Sequence, residues 1–208
     1  MRKEDIDKIQ SIFIDNDMLT EPRILFSTLV EITDDTENAL YSLEFIRHAI
    51  ELTDRGKELE FIIGILSGYL TGLVPIEEVE TARKSLWLML TEWRQLDLEA
   101  NKPKGFLDSK FQSSSLTLLG EALEGTIEIC CGKVLEEAGL SFFVESKAKA
   151  HYIAGLCSAA VATKKFEECD KIDDAINVAK QSFESEYTWQ IRYVLEQNGL
   201  EPNMFNGF

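Results

Sequence analysis

The chain has 208 residues, of which 45% are hydrophobic and 28% charged, which suits one globular core and one domain rather than two. Its formal net charge is −16, a field that repels nucleic acid and anionic membranes and so argues against direct binding to either. No basic stretch followed by an apolar one marks a leader, and no apolar run approaches the roughly 20 residues needed to cross a bilayer, so a cytoplasmic location is expected.

Residues 2–14 place Ile6, Ile9 and Phe13 on one helical face. Thr20 can cap a second helix with Pro22 in its first turn, and that helix carries Ile24, Leu25, Phe26, Leu29 and Val30. Thr33-Asp34-Asp35-Thr36 has turn and capping chemistry. The spacing then predicts a helix over about 36–54 that buries Leu40, Leu43, Ile46, Ala49 and Ile50 and closes at Arg55-Gly56.

The segment from Phe61 to Trp93 reads as a helical hairpin. Its first arm is apolar or small on nearly every face, which places it in the middle of a bundle. Gly64 and Gly68 lie four apart, so close approach of a neighbouring helix is expected there. Gly72 and Pro75 punctuate the turn, because glycine favours the position past a helix end and proline the next helix start. Glu77, Glu78 and Glu80 then sit where the helix dipole favours negative charge. Ile76, Val79, Ala82, Leu86, Trp87, Leu90 and Trp93 form the expected buried stripe of the second arm.

The pattern lapses over 99–113, where Asn101-Lys102-Pro103-Lys104-Gly105 reads as a loop. A helix over about 114–138 follows, with Leu116, Leu119, Leu123, Ile127, Val134 and one of Cys130 or Cys131 facing inward. Further helices are predicted over about 145–163, 166–183 and 184–197, the last carrying Trp189, Tyr193 and Val194. Met204, Phe205 and Phe208 make an aromatic tail. No β alternation is present, so the fold class is all-α: a single-domain multi-helix bundle or a short stack of helical hairpins.

A faint internal repeat divides the chain into halves 1–98 and 114–199 around the loop 99–113. Shifted by 91 positions, Phe61-Ile-Ile-Gly-Ile-Leu-Ser67 lies over Tyr152-Ile-Ala-Gly-Leu-Cys-Ser158. Shifted by 90, Ile76-Glu-Glu-Val-Glu80 lies over Phe166-Glu-Glu-Cys-Asp170. Duplicated hairpins and chance agreement between amphipathic helices both account for this.

The chemistry-bearing residues are sparse. Cys130 and Cys131 are adjacent, should diverge around a helix, and with Cys157 and Cys169 form no C-x-x-C pair, so neither zinc nor any other cofactor is expected. His48 has Glu44 and Glu51 at helical spacing, but the paired Glu-x-x-His motifs of a di-iron bundle are missing. Glu77-x-x-Glu80 and Glu167-x-x-Asp170 fall at matching places in the two proposed hairpins. Helical nucleotide pyrophosphohydrolases hold magnesium on such motifs, although theirs stand much closer in sequence, so a magnesium-dependent nucleotide hydrolase remains an alternative.

Charge is the stronger signal. Residues 15–60 hold twelve acids against Arg23, Arg47, Arg55 and Lys57, a local charge of −8. Glu167, Glu168, Asp170, Asp173 and Asp174 form a second acidic cluster. Solubility and helix capping explain some of this; a basic protein partner would explain the rest.

The run Leu66-Ser-Gly-Tyr-Leu-Thr-Gly-Leu-Val-Pro-Ile-Glu-Glu-Val-Glu-Thr-Ala-Arg83 resembles a pattern in helical proteins assigned as immunity factors of bacterial polymorphic toxin systems. The Ala150-x-Tyr152-Ile-Ala-Gly155 run and the Trp-bearing last helix are similar in layout. One such family carries an Asp-Pro-Tyr-Ser-Trp-like element, for which Glu186-Tyr-Thr-Trp189 stands loosely. The resemblance implies a single-domain, non-catalytic cytoplasmic inhibitor that covers the active site of a basic toxin. The expected contact residues are Glu167, Glu168, Asp170, Asp173 and Asp174, with Asp34, Asp35 and Glu37 second. A structural protein that oligomerises, through its aromatic tail, is the remaining alternative.

Overall fold

In the computed structural model, the described residues are 30, 33–100, 113–137, 146–169 and 172–199. They form six helices: α1 (Asp35–Thr53), α2 (Glu60–Leu70), α3 (Ile76–Ala100), α4 (Ser115–Glu137), α5 (Ser146–Glu167) and α6 (Ile172–Gln197). A 3-10 turn, Lys57–Leu59, leads into α2. The protein is all-α, with no strand among the described residues. The helices expected over 2–14 and from Thr20, the Asn101–Gly105 loop and the aromatic tail lie outside those residues, Val30 excepted.

Local chemistry sets the helix ends. The Asp34 carboxylate accepts the Glu37 N–H at 2.9 Å and caps α1. The buried Asn38 amide donates to the Val30 and Thr33 carbonyls, tying the preceding chain to the helix. Past α1, Gly56 has φ +82°, and a Cβ there would meet Leu119 at 3.2 Å and Ile50 at 3.3 Å. The left-handed backbone favours glycine, and a side chain there would also press on Leu119 and Ile50. After α2, the Leu73 N–H reaches the Gly68 carbonyl at 2.8 Å and the Gly72 N–H reaches that of Tyr69 at 2.9 Å. This is the paired capping of a Schellman turn, with Gly72 at positive φ. Asp97 of α3 holds the start of α4: its carboxylate accepts from the Ser114 N–H at 2.9 Å and the Thr117 hydroxyl at 2.7 Å.

One buried cluster draws on all six helices. α5 packs between α4 and α6, and α1 lies across α4 and α5. Small residues on α5, among them Ala150, Ala154 and Ala160, let these neighbours approach. α2 and α3 form a hairpin at the side, joined to the rest mainly through α1 and α4. At its α4 contact, a Cβ on Gly120 would meet Leu90 at 2.7 Å and Trp93 at 2.9 Å. Buried hydroxyls of Ser42, Thr53, Thr126 and Ser158 donate to carbonyls one turn back, so these four are satisfied within their own helices.

Several expectations need correction. α2 is not central: it buries Ile62, Ile63 and Leu66, while Phe61 is 71% exposed. A Cβ on Gly64 would meet nothing within 4 Å, and the close neighbour of Gly68 is Val74 of the following turn, not another helix. Leu40 and Trp87 point outward; the 100° step per residue carries Trp87 off the face that buries Leu86 and Leu90. The helices expected over 166–183 and 184–197 are not separate. α5 runs on to Glu167, and α6 is one continuous helix from Ile172, with Ala175, Ala179, Tyr187, Ile191 and Val194 on its buried face. Phe166 and Glu167 therefore end a helix, whereas Ile76 and Glu77 begin one, and the two segments aligned at a shift of 90 do not occupy matching places.

Candidate functional site

His48 projects from the middle of α1, and its partner is neither Glu44 nor Glu51. Its Nδ1 lies 2.9 Å from Glu186 Oε2, a residue 138 positions away on α6. The Glu186 side chain is fully buried, and that of His48 is 24% exposed. The other carboxylate oxygen accepts from Gln190 Nε2 at 3.0 Å. A buried carboxylate is tolerated only when paired and hydrogen-bonded. Its charge is felt on α5, where burial and the nearby Glu186 push the Cys157 thiol well above the ordinary thiol range.

Aromatic rings extend the joint along α1 and α6. The His48 ring stacks on Trp189 with centroids 3.6 Å apart, and Trp189 stacks on Tyr193 at 5.5 Å. Phe45 meets Trp189 and Tyr193 edge-on at 6.5 and 6.3 Å. Asn198 donates to the Tyr41 hydroxyl at 3.1 Å, closing the far end.

A groove of about 440 Å³ runs beside this stack. α1 contributes His48 and Leu52, α5 contributes Val161 and Lys165, and α6 contributes Val178, Gln181, Ser182, Ser185, Glu186 and Trp189. Leu52 stands on its lip, 45% exposed. A second depression of about 390 Å³ shares Ser185 and Trp189 and adds Glu184, Thr188 and Arg192. The surface therefore offers a flat aromatic plane, aliphatic edges and short polar side chains, an arrangement that can seat part of another protein. The chain matches no protein-family model, no curated protein and no solved structure.

The acidic residues singled out from sequence are spread over the molecule. Asp34 caps α1, with Asp35 and Glu37 half-buried in its first turn. At the other end of α1, about 28 Å away for a 19-residue helix, Glu167 pairs with Arg55 at 3.1 Å. Glu168 pairs with Lys165 at 2.9 Å and Lys164 at 3.4 Å, and the hydrogen bond from Lys165 holds its carboxyl below the ordinary range. Asp174 is exposed on the first turn of α6; Asp170 and the side chain of Asp173 lie outside the described residues. Glu168 adjoins the groove through Lys165, whereas the Asp34 group is remote from it. Glu77 lies on the first turn of α3 and Glu80 just beyond it, and Glu167 lies on the last turn of α5.

The sequence reading missed Glu186 and the role of Trp189. Its signal was a carboxylate in step with Ala175, Ala179 and Val194, visible only once α6 is read without a break at 183. Cys130 and Cys131 also differ from expectation: their Sγ atoms do not diverge but lie 3.5 Å apart. No group of three or more His, Cys, Asp or Glu placed to hold a metal occurs among the described residues, and none of their helices is long and apolar enough to cross a membrane.

Proposed function

We propose that this chain is a non-catalytic acidic protein that binds a basic protein partner, in the manner of an immunity protein covering the active site of its toxin. The observation that carries the reading is the groove beside Trp189 and Leu52 on a chain of net charge −16. Contact energy in protein interfaces concentrates on aromatic and aliphatic anchors in partly enclosed pockets. Long-range charge brings the partner in and makes the association rate sensitive to salt. The acids of α1, α3 and α6 supply the field, and the groove supplies the anchor.

The test is affinity capture from lysate of the source cell, followed by purification of the captured protein and titration against this chain at low and moderate salt. The expected partner is basic, and its affinity falls by about 10-fold or more on Leu52→Arg, which places a like charge on an exposed lip. Binding indifferent both to salt and to Leu52→Arg overturns the reading. So does the absence of a partner combined with thermal stabilisation by magnesium and a nucleotide, which would promote the hydrolase.

A further inference from the structure

Cys130 and Cys131 occupy successive positions on α4, facing α2 and α3. Their Sγ atoms are 3.5 Å apart, and Cys130 Sγ is also 3.5 Å from the Ile127 carbonyl. Cys131 is 1% exposed and Cys130 is half-buried, so the pair is reached from the Cys130 side. The hydrogen bond between the thiols, with burial behind it, pushes Cys130 well above the ordinary range. That same bond lowers Cys131, helped by the Tyr69 hydroxyl of α2 and the Arg83 guanidinium of α3.

A disulfide does not suit this geometry. Neighbouring Cα atoms are about 3.8 Å apart across a trans peptide. Disulfides need about 4.4 Å or more, with the sulfurs drawn to about 2.05 Å. A shared third atom does suit it. Two bonds of about 2.3 Å to one centre span a 3.5 Å gap at an angle of about 100°. That is the angle of a pyramidal trivalent centre. Structural zinc takes four protein ligands, and among the described residues no such set gathers here.

We infer that Cys130 and Cys131 form a chelating dithiol site for a thiophilic trivalent metalloid, the class to which monosubstituted arsenicals belong. An arsenical of the form R–As=O reacts with both thiols: two As–S bonds form, the As=O bond breaks, and the two thiol protons leave with the oxygen as water. Arsenic stays trivalent, so no oxidant or reductant is required. The first bond forms at the thiol the reagent reaches, and the second closes within the helix, where the other sulfur already waits at chelating distance.

The test uses the full chain and phenylarsine oxide in the presence of excess monothiol, which strips single-thiol adducts but competes poorly with a chelate. Intact-mass measurement should show one phenylarsenic group per chain, and when the treated chain is unfolded in urea before alkylation, both Cys130 and Cys131, open to the reagent in an untreated unfolded chain, should be protected together. Cys130→Ser and Cys131→Ser should each weaken retention by about 100-fold, the loss expected when a second, intramolecular bond is removed. The double substitution Cys157→Ser with Cys169→Ser should retain the adduct. The alkylation footprint on the unaltered chain keeps the test decisive if a substitution impairs folding. No adduct surviving monothiol overturns the inference, and so does a footprint that spares either Cys130 or Cys131.

Discussion

Replacing His48 with alanine isolates the energetics of the α1–α6 joint. Glu186 is fully buried, and its partners among the described residues are His48 at 2.9 Å and Gln190 at 3.0 Å. Gln190 is neutral, so His48→Ala removes the one group of the trio able to carry positive charge. Breaking a buried pair by deleting one partner costs about 3–5 kcal/mol. His48 is 24% exposed, so water entering its space should hold the loss near the lower end, about 3 kcal/mol. With a urea dependence of about 2 kcal/mol per molar, the unfolding midpoint should fall by about 1.5 M, followed by circular dichroism. Glu186→Gln should stay within about 1 kcal/mol of the parent, because an amide fills the same space without a charge. The double variant should recover most of the His48→Ala loss, with a coupling of about 2 kcal/mol. If His48→Ala and the double variant are equally unstable, the stack on Trp189 rather than the carboxylate accounts for the loss, and the charge argument fails.

Three other outcomes test the packing and electrostatics. Gly64→Ala should stabilise the chain by about 1 kcal/mol, since the site is helical, open and without a neighbour within 4 Å; calorimetry should show the melting temperature rise by about 2–4 °C. Gly120→Ala should do the reverse and cost about 1–3 kcal/mol in urea unfolding, because the new methyl group meets Leu90 and Trp93 inside contact distance. Burial raises the Glu124 carboxyl above the ordinary range, with Arg94 opposing and Glu128 reinforcing the shift. A folded-state value above the unfolded one means the charged form costs stability above the raised value, and that cost fades as pH falls through it to the ordinary range. Glu124→Gln should therefore raise the melting temperature at neutral pH and lose that advantage in acid; an unchanged gain across the range would contradict the burial argument.

Periodicity made the architecture legible. Leu43, Ile46, Ala49 and Ile50 of α1, and Val79, Ala82, Leu86 and Leu90 of α3, recur at helical spacing and are buried. Apolar content alone misled for α2: its composition pointed to the centre of a bundle, yet Phe61 and Gly64 face outward because the helix lies at the side of the molecule. Position within a fold is a tertiary property that a local window does not contain. The same limit applies to charge. Glu167 and Glu168 count as two acids in the sequence, but Arg55, Lys164 and Lys165 stand against them, and only Lys164 and Lys165 are close in the chain.

Glu186 shows why the site was the least legible part. A carboxylate on a helix is ordinarily read as solvated, and the group that makes its burial tolerable comes from 138 residues away. Yet that burial constrains the fold. The inner face of α6 carries the small residues Ala175 and Ala179 ahead of the larger Tyr187, Ile191 and Val194, whose shapes already oppose sliding along the bundle. A slip of one turn, about 5.4 Å, would take Glu186 from His48 and leave a buried carboxylate without a counter-group. The stacked His48 and Trp189 rings would part in the same step. The polar pair thus adds its own penalty to misregistered packing, and it holds the α6 side of the groove opposite Leu52. A partner reading that groove meets an edge fixed by the joint beneath it.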